Sequence, residues 1–269
     1  MVSNFRQTEI LDQARRDGRV TVDGLARQFD VTVQTIRRDL AELAETGKLE
    51  RVHGGAVIPS GVINIVYEER RRLNAKGKAA LARACAERVP DGASVFMNIG
   101  TTTEAVAREL LDRDNLLVVT NNINIANILS ANRGCEIVLA GGQLRHSDGG
   151  LVGGFTAELV RHFKFDIAIL GCSALDGDGD LLDFDAQEIL VSQTAIARAR
   201  QVFVAADHSK LDRNAPVTIC SLADVTALFT DVALPPDLAT RARDWGTEVV
   251  IGTPPDTRAA TVHRLHDPG

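Results

Sequence analysis

With 269 residues, 45% of them apolar and 25% charged, the chain has the composition of a water-soluble globular protein, long enough for one small and one mid-sized domain. Its 30 Lys and Arg against 36 Asp and Glu leave a net charge of −6, which argues against coating of nucleic acid by bulk positive charge. No apolar run approaches a membrane span and MVSNFRQTEI lacks a signal-peptide core, so a cytoplasmic location with no membrane partner is expected.

The first element is a helix over residues 4–17, with Ile10, Leu11 and Ala14 at helical spacing and Gly18 as its breaker. A short second helix follows, capped by Thr21 and apolar at Leu25 and Phe29. Asp30-Val31-Thr32 turns into a third, in which Thr32 caps VQTIRRDL, residues 33–40; Ile36, Leu40 and Leu43 form one buried stripe and everything else faces out. At about 100° per residue, Gln34 and Arg38 lie opposite Ile36, flanked by Thr35 and Arg37. Gln pairs bidentately with adenine, Arg with guanine, and Thr suits a phosphate or a thymine methyl, so this is the face a major-groove reading helix presents.

The octet alone also fits an ordinary surface helix carrying two arginines. The helices ahead of it and the three-residue turn give the helix-turn-helix spacing. Gly47 ends the reading helix, strands are expected over 49–52 and 56–58, and His53-Gly54-Gly55 turns between them as a wing. Residues 1–58 carry nine basic and nine acidic side chains. Binding to double-stranded operator DNA therefore rests on placement, with Arg37, Arg38, Arg51 and His53 toward the duplex and carboxylates turned away. A neutral module of this size binds weakly alone, so a homo-oligomer, dimer or tetramer, is expected.

Residues 59–74 read as a connector, opened by Pro-Ser-Gly and carrying YEERRR at 67–72. Such a run is usually a solvated face, although Arg70 is also placed to reach phosphate, on DNA or on a ligand. Residues 75–252 form the second domain, and the Pro-rich, polar stretch 253–269 is expected to be a frayed tail. In this domain β-branched runs at 94–99, 116–120, 136–140, 166–170, 202–205, 225–229 and 248–251 alternate with helical stretches at 79–87, 104–111, 123–131, 156–163, 188–199 and 237–243. Near-continuous apolar strands separated by helices predict a mostly parallel α/β sheet covered on both faces, with ligands at the carboxyl ends of its strands.

Polar and glycine residues collect at those ends. Asn98, Gly100 and the hydroxyls and free amides of Thr101, Thr102 and Thr103 follow the first strand and suit an anion; a plain helix cap is the competing reading. Thr120, Asn121 and Asn122 follow the second strand, Gly141 and Gly142 the third, Gly171-Cys172-Ser173 the fourth, and Asp207-His208-Ser209-Lys210 the fifth. Lys210 supplies the point charge a phosphate needs. Cys85, Cys135, Cys172 and Cys220 stand far apart, without a CxxC pair or a His at ligand spacing, so reduced core thiols are expected and no metal, cofactor or disulfide.

TIRRDL with HGGA, then NIGTTTEAVA, TNNINIAN, LAGGQLR, DGGLVG, LLDFDAQE and ADHSK, resemble the DeoR family of bacterial transcriptional regulators from about Arg6 to about Pro236. Within the family, TTTEAVA, TNNINIAN and LLDFDAQE resemble the members that respond to glycerol-3-phosphate. The resemblance implies a winged helix-turn-helix, a C-terminal domain related to ribose-5-phosphate isomerase, and repression of a catabolic operon relieved by a phosphorylated sugar or polyol.

That kinship offers an enzyme as the alternative, a sugar-phosphate isomerase with an added DNA-binding domain. The isomerases carry Asp-Gly-Ala-Asp after the fourth strand and Lys-Gly-Gly beyond it; here Leu170-Gly171-Cys172-Ser173 and Asp176 to Asp180 stand instead. Glu188, matching the isomerases' base, and Asp207 to Lys210 remain. One carboxylate without its partner acid can hold hydroxyls but not shuttle protons between carbons, so a binding site without catalysis is expected. The competing role for Glu188 is a helix-face carboxylate paired with a cation. Asn98 departs from the family pattern, which places Asp there; an Asn amide offers a different hydrogen-bond pattern to an effector, or merely bonds backbone beside the Thr loop.

Overall fold

The computed structural model describes residues 2–17, 19–46, 48–52, 54–57, 67–211 and 213–253, in two compact units, 1–63 and 64–269. In the first unit α1 (Val2–Asp17), α2 (Val22–Gln28) and α3 (Val33–Glu45) close over a core of Ile10, Ala14, Leu25, Ile36, Leu40 and Leu43. Thr21 caps α2 through Gly24 N, and Thr32 caps α3 through Thr35 N, so both helix starts follow from side chains legible in the sequence. Between them Asp30 takes a left-handed turn at φ 51°.

The wing has three strands, one more than the periodicity predicts: β1 (Arg19–Thr21), β2 (Glu50–Val52) and β3 (Gly55–Val57) pair antiparallel in the order β1-β3-β2. Arg19-Val20-Thr21 becomes a strand through its pairing with Gly55–Val57, a partner far along the chain. The two glycines of HGGA have separate reasons. Gly54 turns at φ 80°, and a Cβ on Gly55 would meet Val20 O at 2.0 Å, so only glycine lets β1 lie on the hairpin. His53, Ile58 at the end of the expected second wing strand, and the start of the connector, 59–66, lie outside the described residues, as do Gly18, Gly47 and the tail from 254 onward.

The second unit opens with α4 (Tyr67–Arg72), so the end of the expected connector is a helix, hydrogen-bonded to the domain behind it. Asn74, left-handed at φ 50°, precedes α5 (Ala75–Glu87), which begins a turn earlier than its apolar residues indicate. Then follow β4 (Ser94–Met97), α6 (Thr101–Glu109), β5 (Leu116–Thr120), α7 (Ile123–Leu129), β6 (Cys135–Leu139), β7 (Gln143–Arg145), β8 (Gly150–Val152), α8 (Gly154–Arg161) and β9 (Phe165–Leu170). The chain continues through β10 (Ala174–Leu175), β11 (Asp180–Asp183), α9 (Ala186–Ile196), β12 (Ala199–Ala205), β13 (Val217–Ser221), β14 (Ala227–Thr230), α10 (Pro236–Trp245) and β15 (Glu248–Ile251).

Seven of these strands form one fully parallel sheet in the order β15-β14-β12-β9-β4-β5-β6. Alternate residues feed two cores: Val95, Met97, Ile167 and Ile169 on one face, Phe96, Ala168 and Leu170 on the other. Two small antiparallel sheets, β7-β8 and β10-β11-β13, add to the expected architecture. The order in which the chain fills the sheet reverses between β4 and β9, the switch point where an open α/β sheet leaves a crevice. Cys85 and Cys172 are buried, Cys135 and Cys220 half-buried, and all four are free thiols. Among the described residues no helix is long and apolar enough to cross a membrane.

Candidate functional site

On α3, Thr32, Gln34, Arg37 and Arg38 are exposed and Thr35 is half-buried, its hydroxyl 2.9 Å from that of Thr32. Arg38 is 82% exposed and leans on Glu42, with Nε 3.1 Å from Oε1. One residue of TIRRDL does not face out as expected. Asp39 is 2% exposed and accepts from Arg6 Nε at 2.5 Å, tying α1 to α3. Its burial follows from its position beside Leu40 and Leu43 on the core side, and it is tolerated because Arg6 arrives from the neighbouring helix. Arg51 sits in β2, its side chain outside the described residues, as is His53.

In the second unit a narrow cavity of about 10 Å³, room for one water, opens at the carboxyl ends of β4 and β9. Gly100, Thr101 and Thr102 form one wall, at the first turn of α6, where amides have no helical partner. Gly171, Cys172 and Ser173 line it as well, Lys210 and Arg70 supply positive charge, and Asp183 and Glu188 supply carboxyl groups. Lys210 is 5% exposed, and burial pulls its pKa below the usual lysine range.

The carboxylates are braced by Arg145. Its Nε and Nη2 donate to the two oxygens of Asp148 at 2.9 and 2.8 Å, its Nη1 to Asp185 at 2.7 Å, and its Nη2 also to Glu188 at 2.5 Å. Burial, reinforced by nearby Asp183, pushes the Glu188 carboxyl up to about 8 against the opposing pull of Arg145. Asp183 is raised by burial too, opposed by the Phe184 amide and the Ser173 hydroxyl, which donates at 3.0 Å.

Of the residues expected at the effector site, Gly100, Thr101, Thr102, Glu188 and Lys210 meet at the cavity. The others are not among the residues that line it. The Thr103 hydroxyl donates to the carbonyls of Asn98 and Gly100, both at 2.9 Å. Asn98, 1% exposed, spends its amide on Gly171 and Ser192. Asp207 accepts from Asn74 Nδ2 and Ser209 N, fixing the turn that carries Lys210. Thr120 donates to Met97 O, Asn121 Nδ2 to Leu151 O, and Asn122 caps α7, so these three hold loops together. Gly141 and Gly142 seat α8: Thr156 donates to Gly141 O, and a Cβ on Gly142 would lie 1.9 Å from Thr156 Oγ1.

Sequence reasoning did not bring Asp183, Arg145, Asp148 or Lys78 to the site. Asp183 stood inside LLDFDAQE and Arg145 inside LAGGQLR, but no spacing rule joins β7, β11 and α9 before the fold is known. Lys78 Nζ donates to the carbonyls of Arg70 and Leu73 and, at 3.2 Å, to Thr101 Oγ1; burial brings it down to about 8. Among the described residues no group of His, Cys, Asp and Glu is arranged to hold a metal ion.

Residues 6–62 match the model of the DeoR-like helix-turn-helix domain, and residues 73–232 that of the DeoR C terminal sensor domain. The chain belongs to the DeoR family. It is 43% identical over 235 residues to the glycerol-3-phosphate regulon repressor of Escherichia coli K12, covering 87% of this chain and 93% of that protein. It is 38% identical to the HTH-type transcriptional repressor CsqR of the same organism, over 93% of this chain and 96% of that one. The HTH-type transcriptional regulator GlpR of Haloferax volcanii is 35% identical over 88% of this chain and 92% of its own length. Among solved structures, ribose 5-phosphate isomerase A of Methanocaldococcus jannaschii aligns with 50% of this chain and 53% of its own, at 16% identity and a TM-score of 0.38. DeoR-family proteins are transcriptional regulators, and this one is a regulator rather than an enzyme.

Proposed function

We propose that this DeoR-family protein is a cytoplasmic repressor of a catabolic operon, held on double-stranded operator DNA by α3 and released when a phosphorylated polyol binds the groups that line the cavity, which must widen from its one-water volume to take it. Glycerol-3-phosphate is the first candidate effector, in keeping with the 43% identity to a glycerol-3-phosphate regulon repressor. The observation that carries this reading is the polarity of the cavity. The α6 amides and Lys210 suit a phosphate, and Asp183 and Glu188, which line the same cavity, suit hydroxyls.

In this reading Thr32, Gln34, Thr35, Arg37 and Arg38 contact the duplex, with Arg51 and His53 on the backbone. A homo-oligomer supplies the second reading helix that a two-fold operator requires. Asn98, Thr103, Thr120, Asn121, Asn122, Gly141, Gly142 and Asp207 support the effector loops from behind. Another sugar phosphate would use the same groups, so the effector is settled by a panel.

Thermal shift across phosphorylated metabolites, followed by mobility shift of an operator fragment, tests the assignment. Glycerol-3-phosphate should raise Tm and free the DNA. A panel in which no phosphate does either would overturn it.

A further inference from the structure

We infer that Arg70, on the segment that leads in from the DNA-binding unit, is itself an effector ligand, so that one residue both holds the phosphate and fixes the linker helix. The inference rests on the effector site proposed above. Arg70 falls between the two family matches, which end at residue 62 and resume at residue 73. The structure nonetheless puts it on the cavity wall beside Thr101, Thr102 and Lys210.

Its surroundings are those of a ligand group waiting for an anion. The side chain is 15% exposed, and Nε is buried with no hydrogen-bond partner. Its one ion pair among the described residues is long, Nη2 to Asp148 Oδ2 at 3.3 Å. Asp148 does not depend on that contact, because the fork of Arg145 already grips both its oxygens. Arg70 can therefore turn toward a phosphate without stranding a buried carboxylate. Nε and a terminal nitrogen of a guanidinium form the planar pair that matches two phosphate oxygens.

The backbone of Arg70 is pinned as firmly as its side chain is underused. Its carbonyl accepts from Lys78 Nζ and, at 3.4 Å, from the Thr101 hydroxyl, while Tyr67 Oη, one turn earlier, donates to Glu104 at 2.8 Å. Helix α4 is thus strapped to the first turn of α6, the turn that would cradle the phosphate. A phosphate bound by those amides and by Arg70 draws α4 and α6 together from both ends of the side chain, which is a direct physical link from effector to linker.

The experiment uses the full chain with Arg70→Met, Arg70→Lys and Lys210→Ala. Calorimetry reads binding of glycerol-3-phosphate and inorganic phosphate, and amide hydrogen exchange reads residues 67–73. Arg70→Met should weaken glycerol-3-phosphate binding by about tenfold or more. The ligand should slow exchange over 67–73 in the wild type and leave it unchanged in Arg70→Met. Binding by Arg70→Met within about twofold of wild type, with loss in Lys210→Ala, overturns the role of Arg70 and leaves the site standing. Wild-type protein that binds neither probe overturns both. If Arg70→Met melts below the assay temperature, Arg70→Lys decides: it keeps the charge but lacks the fork, and affinity within about twofold of wild type overturns the inference.

Discussion

The side chain of Asn98 pairs with both backbone groups of Gly171: Oδ1 accepts from Gly171 N at 2.8 Å, and Nδ2 donates to Gly171 O at 3.1 Å. An amide side chain here acts as one more rung of the sheet, continuing the β4-β9 pairing past the point where the strands part. Truncating it to a methyl group would leave a buried N–H and a buried C=O unmet. Asn98→Ala should therefore cost about 2 to 4 kcal/mol, read by urea unfolding. Asn98→Asp keeps the acceptor but sets a carboxylate oxygen against Gly171 O, so it should lower Tm increasingly as pH rises while the ranking of effectors stays unchanged. A re-ranked effector panel with undiminished stability would restore Asn98 to the list of residues that read the ligand.

Helix α3 presents Arg38 at 82% exposure with Glu42 beside it, an i,i+4 pair of little energetic weight. Arg38→Ala should weaken operator binding by about 1 to 3 kcal/mol and relax preference at one base step, read by mobility shift over operator variants. Equal affinity and selectivity would mean that another residue of α3 does the reading.

The architecture was legible wherever a local rule acted alone. Thr21 and Thr32 cap helices through hydrogen bonds three residues on, and the β-branched runs became the seven parallel strands, displaced at their ends by up to three residues. What stayed hidden depends on partners distant in sequence. Asp39 looks outward on an isolated helix and turns inward only because Arg6, 33 residues earlier, comes to meet it. Arg145 becomes the brace of the acidic wall only when Glu188, 43 residues on, folds onto it. The polar loops after β5 and β6 carry residue types suited to binding, and in the structure those residues hold the loops together, because buried backbone at a strand end has its own hydrogen bonds to satisfy.

Lys210 stands on a turn fixed by Asp207 and lines the cavity. Removing it deprives a phosphate of one charge-assisted hydrogen bond, worth about 1.5 to 3 kcal/mol. Lys210→Ala should accordingly need roughly ten- to hundredfold more glycerol-3-phosphate to reach half-saturation in calorimetry. An unchanged isotherm would move the phosphate elsewhere in the molecule.

Glu188 gives the fold a pH signature whose sign can be worked out. Burial and the neighbouring Asp183 lift its carboxyl to about 8, whereas in the unfolded chain it returns to about 4.5. Between those values the folded state binds the extra proton, so stability should fall as pH rises from about 4.5 to about 8 and level off above. Arg145 at 2.5 Å works in the opposite direction. If that ion pair dominated, the carboxyl would lie below its ordinary range and stability would be lost on acidification instead. Glu188→Gln separates the cases, since glutamine resembles the protonated acid in shape and carries no charge at any pH. Urea unfolding at pH 5, 6, 7 and 8 should show wild type and variant close together at the acid end, with the variant gaining steadily toward pH 8. A difference that is constant across the series, or one that grows in favour of the wild type, would show that Arg145 rather than burial sets the charge on this wall of the cavity.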